Sequence, residues 1–142
     1  MERLTTSALA KQGGVDRETV RYYERRGLLP KPPRLPSGYR AFSPDSVQRL
    51  RFIKRAQGLG FSLREIKELL ALRVKPGASC AAVQQQAAAK LDAIAAKIRA
   101  LRAMEQVLRR FTAACSGRGP ISECPILHAL DDERLNVPQE RR

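Results

Sequence analysis

From Ser79 to Thr112 the chain contains neither proline nor glycine, and Pro76-Gly77 breaks it just before. A stretch of that length without either breaker has one economical conformation, a single long helix. Stepping alternately by four and three residues from Cys80 passes through Gln84, Ala87, Leu91, Ile94, Ile98, Leu101, Glu105, Leu108 and Thr112. The seam is apolar except near its ends and at Glu105, and is two residues wide, with charges on the other faces. Such a seam needs a second helix to cover it. An antiparallel coiled coil between two copies of the chain is the expected arrangement; folding of the stripe onto the chain's own amino-terminal part is the alternative.

The residues before this helix have a different character. Lys and Arg number 27 against 14 acids, a net charge of +13. Residues 1–75 hold 17 basic and 7 acidic side chains (+10), and residues 76–142 hold 10 and 7 (+3). A basic half points to a polyanion, because neutralising phosphates releases condensed counterions whatever the base sequence. With aromatics at 5 % and apolar side chains at helical intervals, an all-α chain is expected.

Thr6 can cap a short helix, Ser7 to Gln12, ended by Gly13-Gly14, and Asp16 can cap a second, Arg17 to Arg26, closed by Gly27. Two short helices joined by a glycine turn form a helix-turn-helix pattern. With Val20 turned toward Leu9 and Leu28, the side chains of Arg17, Thr19, Arg21 and Tyr22 are free to meet bases and phosphates in a major groove. Lys31 to Arg40, with three prolines and Gly38, reads as a wing or a linker; as a wing it presses Arg34, Tyr39 and Arg40 on the phosphate backbone. Ser43-Pro44 opens a third helix with Val47, Leu50 and Ile53 inward, ended by Gly58 and Gly60. Ser62-Leu-Arg-Glu65 is a capping box for a fourth, with Ile66, Leu69 and Leu70 inward.

Three cysteines, an odd number, point to ligands, reactive thiols or buried fillers rather than a disulfide framework. Cys80 and Cys115 are 115 − 80 = 35 residues apart, five heptads, on one seam at opposite ends of the helix. At 1.5 Å per residue that is roughly 50 Å, too far for one metal to bridge within a straight helix. In an antiparallel dimer Cys80 of the partner subunit meets Cys115, twice by symmetry. Cys124 follows a segment with two glycines and a proline that can turn back toward Cys115. Three thiolates select Hg(II), Cd(II), Pb(II), Zn(II) or Cu(I) over Mg(II) or Ca(II). His128 reads as a surface or core histidine rather than a fourth ligand. A thiol redox enzyme is disfavoured: there is no CxxC and no strand pattern for a thioredoxin-like fold, and the chain is expected not to be an enzyme. No run approaches 18 apolar residues and no signal-type segment opens the chain, so a cytoplasmic protein without membrane contact is expected.

Taken together, Glu18-Thr-Val-Arg-Tyr-Tyr-Glu-Arg-Arg-Gly-Leu28, the wing Gly38-Tyr-Arg40 and Phe52 to Leu70 with Leu59-Gly-Phe-Ser-Leu63 resemble the MerR family over about residues 4–130. The single Cys80 and the pair Cys115 and Cys124, followed by Pro125-Ile-Leu, are most similar to the family's mercury sensors. That resemblance implies Hg(II) in a trigonal thiolate site. It also implies a homodimer on promoter DNA that represses without metal and, with metal, distorts the DNA so that RNA polymerase can open it. The expected division is a winged helix-turn-helix domain over 1–75, a dimerisation helix over 76–114, a metal-binding loop with a short helix over 115–130 and a disordered tail over 131–142.

Overall fold

The computed structural model describes residues 3–136. Its elements are helices throughout: α1 Thr6–Gly13, α2 Arg17–Arg25, α3 Asp45–Gly58, α4 Leu63–Val74, α5 Cys80–Ala114, a 3₁₀ turn Ile121–Glu123 and α6 Pro125–Leu130. Strand-like pairing among the described residues is limited to two isolated bridges, Leu4 with Phe42 and Arg34 with Arg40. The all-α expectation holds. The chain divides into two compact units, Met1–Gln86 and Ala87–Arg142.

The first unit is built on helix ends written in the sequence. Asp16 Oδ1 accepts from Thr19 N at 2.7 Å, and Ser62 with Glu65 forms the expected reciprocal capping box. Two caps differ from expectation by one position. Thr5, not Thr6, caps α1, its hydroxyl accepting from Ala8 N. α3 begins at Asp45 with Pro44 as its cap and no side-chain cap bond, so Ser43 lies outside the helix. Both shifts are one residue along a run of similar side chains or past a proline, where local rules allow either register.

Between α1 and α2 the chain must turn within three residues. Gly14 takes φ +71, the left-handed conformation that ends a helix cheaply only in glycine, and Val15 N donates back to Ala10 O at 3.0 Å. Gly13 has a different role: a Cβ there would overlap the Leu50 side chain, so glycine is what lets α1 lie against α3.

The apolar faces then close one core. Leu9, Val20, Leu28, Leu29, Phe42, Leu50, Ile53 and Ile66 are all essentially buried, joining α1, α2, α3 and α4 to the base of the wing. Each such side chain removed from water is worth roughly 1.5–3 kcal/mol. The Tyr23 hydroxyl donates to Gln57 Oε1 at 2.6 Å, seating α2 on α3, and burial with the nearby Tyr22 raises its pKa above the ordinary phenol value. The wing folds as a ribbon: Leu35 N donates to Tyr39 O, Ala41 N to Pro33 O, and Leu4 and Phe42 exchange both backbone bonds at 2.7 Å. The linker alternative for this segment falls away.

α5 is the long helix the sequence predicts, and it buries none of its own residues in the single chain. Its seam residues Leu91, Ile94, Ile98, Leu101 and Leu108 are between 38 % and 66 % exposed. At the start of the stretch expected as a tail, 131–136, the chain makes a turn in which Arg134 pairs with Asp132, lowering that carboxyl's pKa; the rest of that stretch, 137–142, lies outside the described residues.

Candidate nucleic-acid and metal sites

On the first unit, α2 and the wing meet the start of α1 around an open cleft of about 440 Å³. Five of the seven side chains singled out for DNA line it: Arg17, Arg21, Arg34, Tyr39 and Arg40. Tyr39 is 67 % exposed at the wing tip, a phenol standing where it can reach a phosphate. Thr19 and Tyr22 are not among the lining residues; Tyr22 stays on the outer face of α2, with the Arg26 guanidinium 5.9 Å above its ring. Sequence reasoning missed Thr5, Thr6 and Ser7, which bring hydroxyls and the amino end of α1 to the same cleft. Their signal was the hydroxyl run at a helix start.

A second open cleft, about 500 Å³, shares Arg21, Arg34 and Arg40 with the first and adds Glu24, Arg25, Lys31 and Pro32. Glu24 is 8 % exposed and accepts from Arg40 Nη1 at 2.7 Å. Arg21 pairs with Glu18 at 3.3 Å on the exposed face of α2, an interaction too weak in water to withhold it from a phosphate.

Not all the positive charge is on this face. Arg49 donates to Leu28 O at 2.6 Å, Arg51 to Gln12 O at 3.2 Å and Lys54 to Gly14 O at 2.9 Å. These side chains of α3 cap the carbonyl ends of α1 and α2, where a cation suits the helix dipole.

All three cysteines are free thiols. Cys80 opens α5 and is exposed, at the edge of an apolar cleft lined by Phe52, Leu69, Leu72, Ala78 and Val83. Cys115 follows the last residue of α5, and Cys124 is the N-cap residue of α6, both partly exposed. His128 Nε2 donates to Ser122 O at 2.8 Å across the turn that carries Cys124, in keeping with a structural histidine. Among the described residues no three Cys, His, Asp or Glu side chains come together. As a donor set, three accessible thiols suit a soft cation and offer nothing to a hard one.

Among the described residues, no helix is long and apolar enough to cross a membrane. Two family profiles match the sequence: one for the MerR HTH family regulatory proteins over residues 4–72, and one described as MerR, DNA binding, over residues 47–111. The mercuric resistance operon regulatory protein of Bacillus cereus is 43 % identical over 86 % of this chain and 92 % of its own length. Among solved structures, a transcription regulator of Ralstonia metallidurans in complex with lead(II) has TM-score 0.81 at 35 % identity, covering 89 % of this chain and 98 % of its own. The MerR regulator of Bacillus megaterium in complex with mercury(II) has TM-score 0.70 at 37 % identity with the same coverage.

Proposed function

The chain belongs to the MerR family of regulators, and on that footing we propose that it is a Hg(II)-responsive switch for a mercury-resistance operon. In this reading residues 1–75 hold promoter DNA, 76–114 pair two copies, and 115–130 with Cys80 of the partner subunit hold the metal. The observation that supports it is the cysteine spacing: Cys80 and Cys115 bracket one unbroken helix, so a site that uses both takes them from two chains.

Each pocket then takes Cys115 and Cys124 from one protomer and the third thiolate from the other. The seam of α5, uncovered in one chain, supplies the apolar surface that pairs them. Metal fastens the start of one α5 to the end of the other, which biases how the two winged units are held. DNA twist between the half-sites responds to that bias at base pairs that no side chain need touch, and RNA polymerase reads the changed promoter. Without metal the dimer represses; with it, the dimer activates.

A second reading keeps the switch and changes the cation to Pb(II), favoured by the similarity to the lead-bound regulator of Ralstonia metallidurans; Cd(II) and Zn(II) suit the same donors. The deciding experiment titrates the purified dimer with Hg(II), Cd(II), Pb(II) and Zn(II) against a small-thiol competitor. Retention of Hg(II) at thiol concentrations that strip the other three supports the mercury reading; preferential retention of Pb(II) overturns it.

A further inference from the structure

Glu24 is an anomaly on a surface read as binding DNA. Its carboxylate is carried by α2, the helix presented to the groove, and lines a cleft together with Arg21, Arg25, Lys31, Arg34 and Arg40. An anion in that position repels phosphate, and its side chain is only 7 % exposed, so it is also poorly hydrated. Its partner is Arg40, 2.7 Å away and itself 29 % exposed. Arg40 is no isolated surface arginine. Its backbone is bridged to Arg34 across the wing, Arg34 Nη1 donates to Gly38 O at the turn, and Ala41 and Phe42 next to it are buried in the core.

From this geometry we infer that Glu24 is a positioning residue for DNA binding: it fixes the Arg40 guanidinium against α2, between the two clefts, before any DNA arrives. An unrestrained arginine loses rotamer freedom on meeting a phosphate, and an arginine already held loses less. The pair also fastens the wing to α2, so that Tyr39 and Arg34 approach the backbone at a set distance from the helix. The inference rests on the reading of this face as a DNA surface.

The two accounts of Glu24 predict opposite signs. If it is only a negative charge near phosphates, Glu24→Gln tightens DNA binding and steepens its salt dependence. If it positions Arg40, the same substitution weakens binding, roughly three- to tenfold, and makes the salt dependence shallower. Affinity for a mixed-sequence 30-base-pair duplex, measured by fluorescence anisotropy across a salt series, separates them, since the contact at issue is to the backbone. In an Arg40→Ala background Glu24→Gln should weaken binding no further. Glu24→Asp, which keeps the charge but retracts the carboxylate by one methylene, should also weaken binding, and it decides the matter alone if Glu24→Gln does not fold.

Tighter binding by Glu24→Gln, an equal loss with and without Arg40, or wild-type affinity in Glu24→Asp each overturns the inference. So does wild-type affinity in Arg40→Ala, which leaves the regulator reading standing as long as the native chain binds the duplex. A native chain that does not bind duplex DNA overturns both.

Discussion

At the scale of single residues, the lesson of this fold is that like charges have unlike tasks. Arg17, Arg21, Arg34 and Arg40 face an open cleft, whereas Arg49, Arg51 and Lys54 are bonded to the carbonyl ends of neighbouring helices. A count of positive charge cannot tell the two sets apart, because the acceptors Leu28, Gln12 and Gly14 lie 21, 39 and 40 residues away in sequence. Binding to duplex DNA across a salt series should separate them. Arg21→Ala and Arg40→Ala are each expected to weaken binding and to lower the slope of log K against log salt by about 0.9 per lost phosphate contact. Arg51→Ala should leave that slope alone and cost under about 1 kcal/mol in stability, the worth of one exposed hydrogen bond. Unchanged isotherms for Arg21→Ala and Arg40→Ala would remove the assignment of this face to DNA. Gly13 gives a purely steric test. The methyl of Gly13→Ala meets the Leu50 side chain in a packed core, so unfolding should become easier by about 1–3 kcal/mol, and a thermal midpoint equal to or above the native one would contradict the close approach of α1 to α3.

Individual helices show where sequence is a sufficient guide and where it stops. The Ser62–Glu65 box and the Asp16 cap were legible because every atom involved lies within three residues. Ser62→Ala should cost about 1 kcal/mol in a denaturant titration, and no shift in midpoint would mean that α4 does not depend on its cap. Asp16 carries a pH signature as well. The bond from Thr19 holds its folded pKa below 3.8, so its contribution to stability is present above the unfolded value and is lost as pH falls through the folded one. Asp16→Asn keeps a capping oxygen and should flatten that part of the acid limb below about pH 4; an acid limb identical to the native one would show that α2 draws nothing from the charge. The long α5 was equally legible, since its evidence is the absence of breakers over a continuous run. Contacts between elements were not. Nothing within the wing's own sequence says that Phe42 pairs with Leu4, that Thr5 to Ser7 line the cleft, or that Glu24 holds Arg40, because each depends on the packing of residues that only the assembled core brings together.

For the whole molecule, the cysteines carry the sharpest test, because Cys80 and Cys115 stand at opposite ends of one unbroken helix and the proposed site draws its thiolates from two chains. Cys80→Ala and Cys115→Ala should each abolish tight Hg(II) binding in a homodimer, since both pockets of each lose a ligand. The mixed dimer behaves differently if the helices run antiparallel. With one subunit lacking Cys80 and the other lacking Cys115, the pocket that joins the remaining Cys80 to the opposite chain's Cys115 and Cys124 is complete, while the other pocket keeps Cys124 alone. One tight Hg(II) per heterodimer is therefore expected, against none for either homodimer. If instead all three thiolates came from one chain, α5 would have to break near its middle to bring Cys80 to Cys115, each subunit of the heterodimer would carry its own defective pocket, and mixing would restore nothing. Co-expressing the two variants with different affinity tags, purifying on both in sequence and counting thiol-resistant Hg(II) per dimer distinguishes the cases. A stoichiometry near zero in a verified heterodimer excludes the shared site, and with it the idea that metal acts by fastening the two ends of the paired helices together.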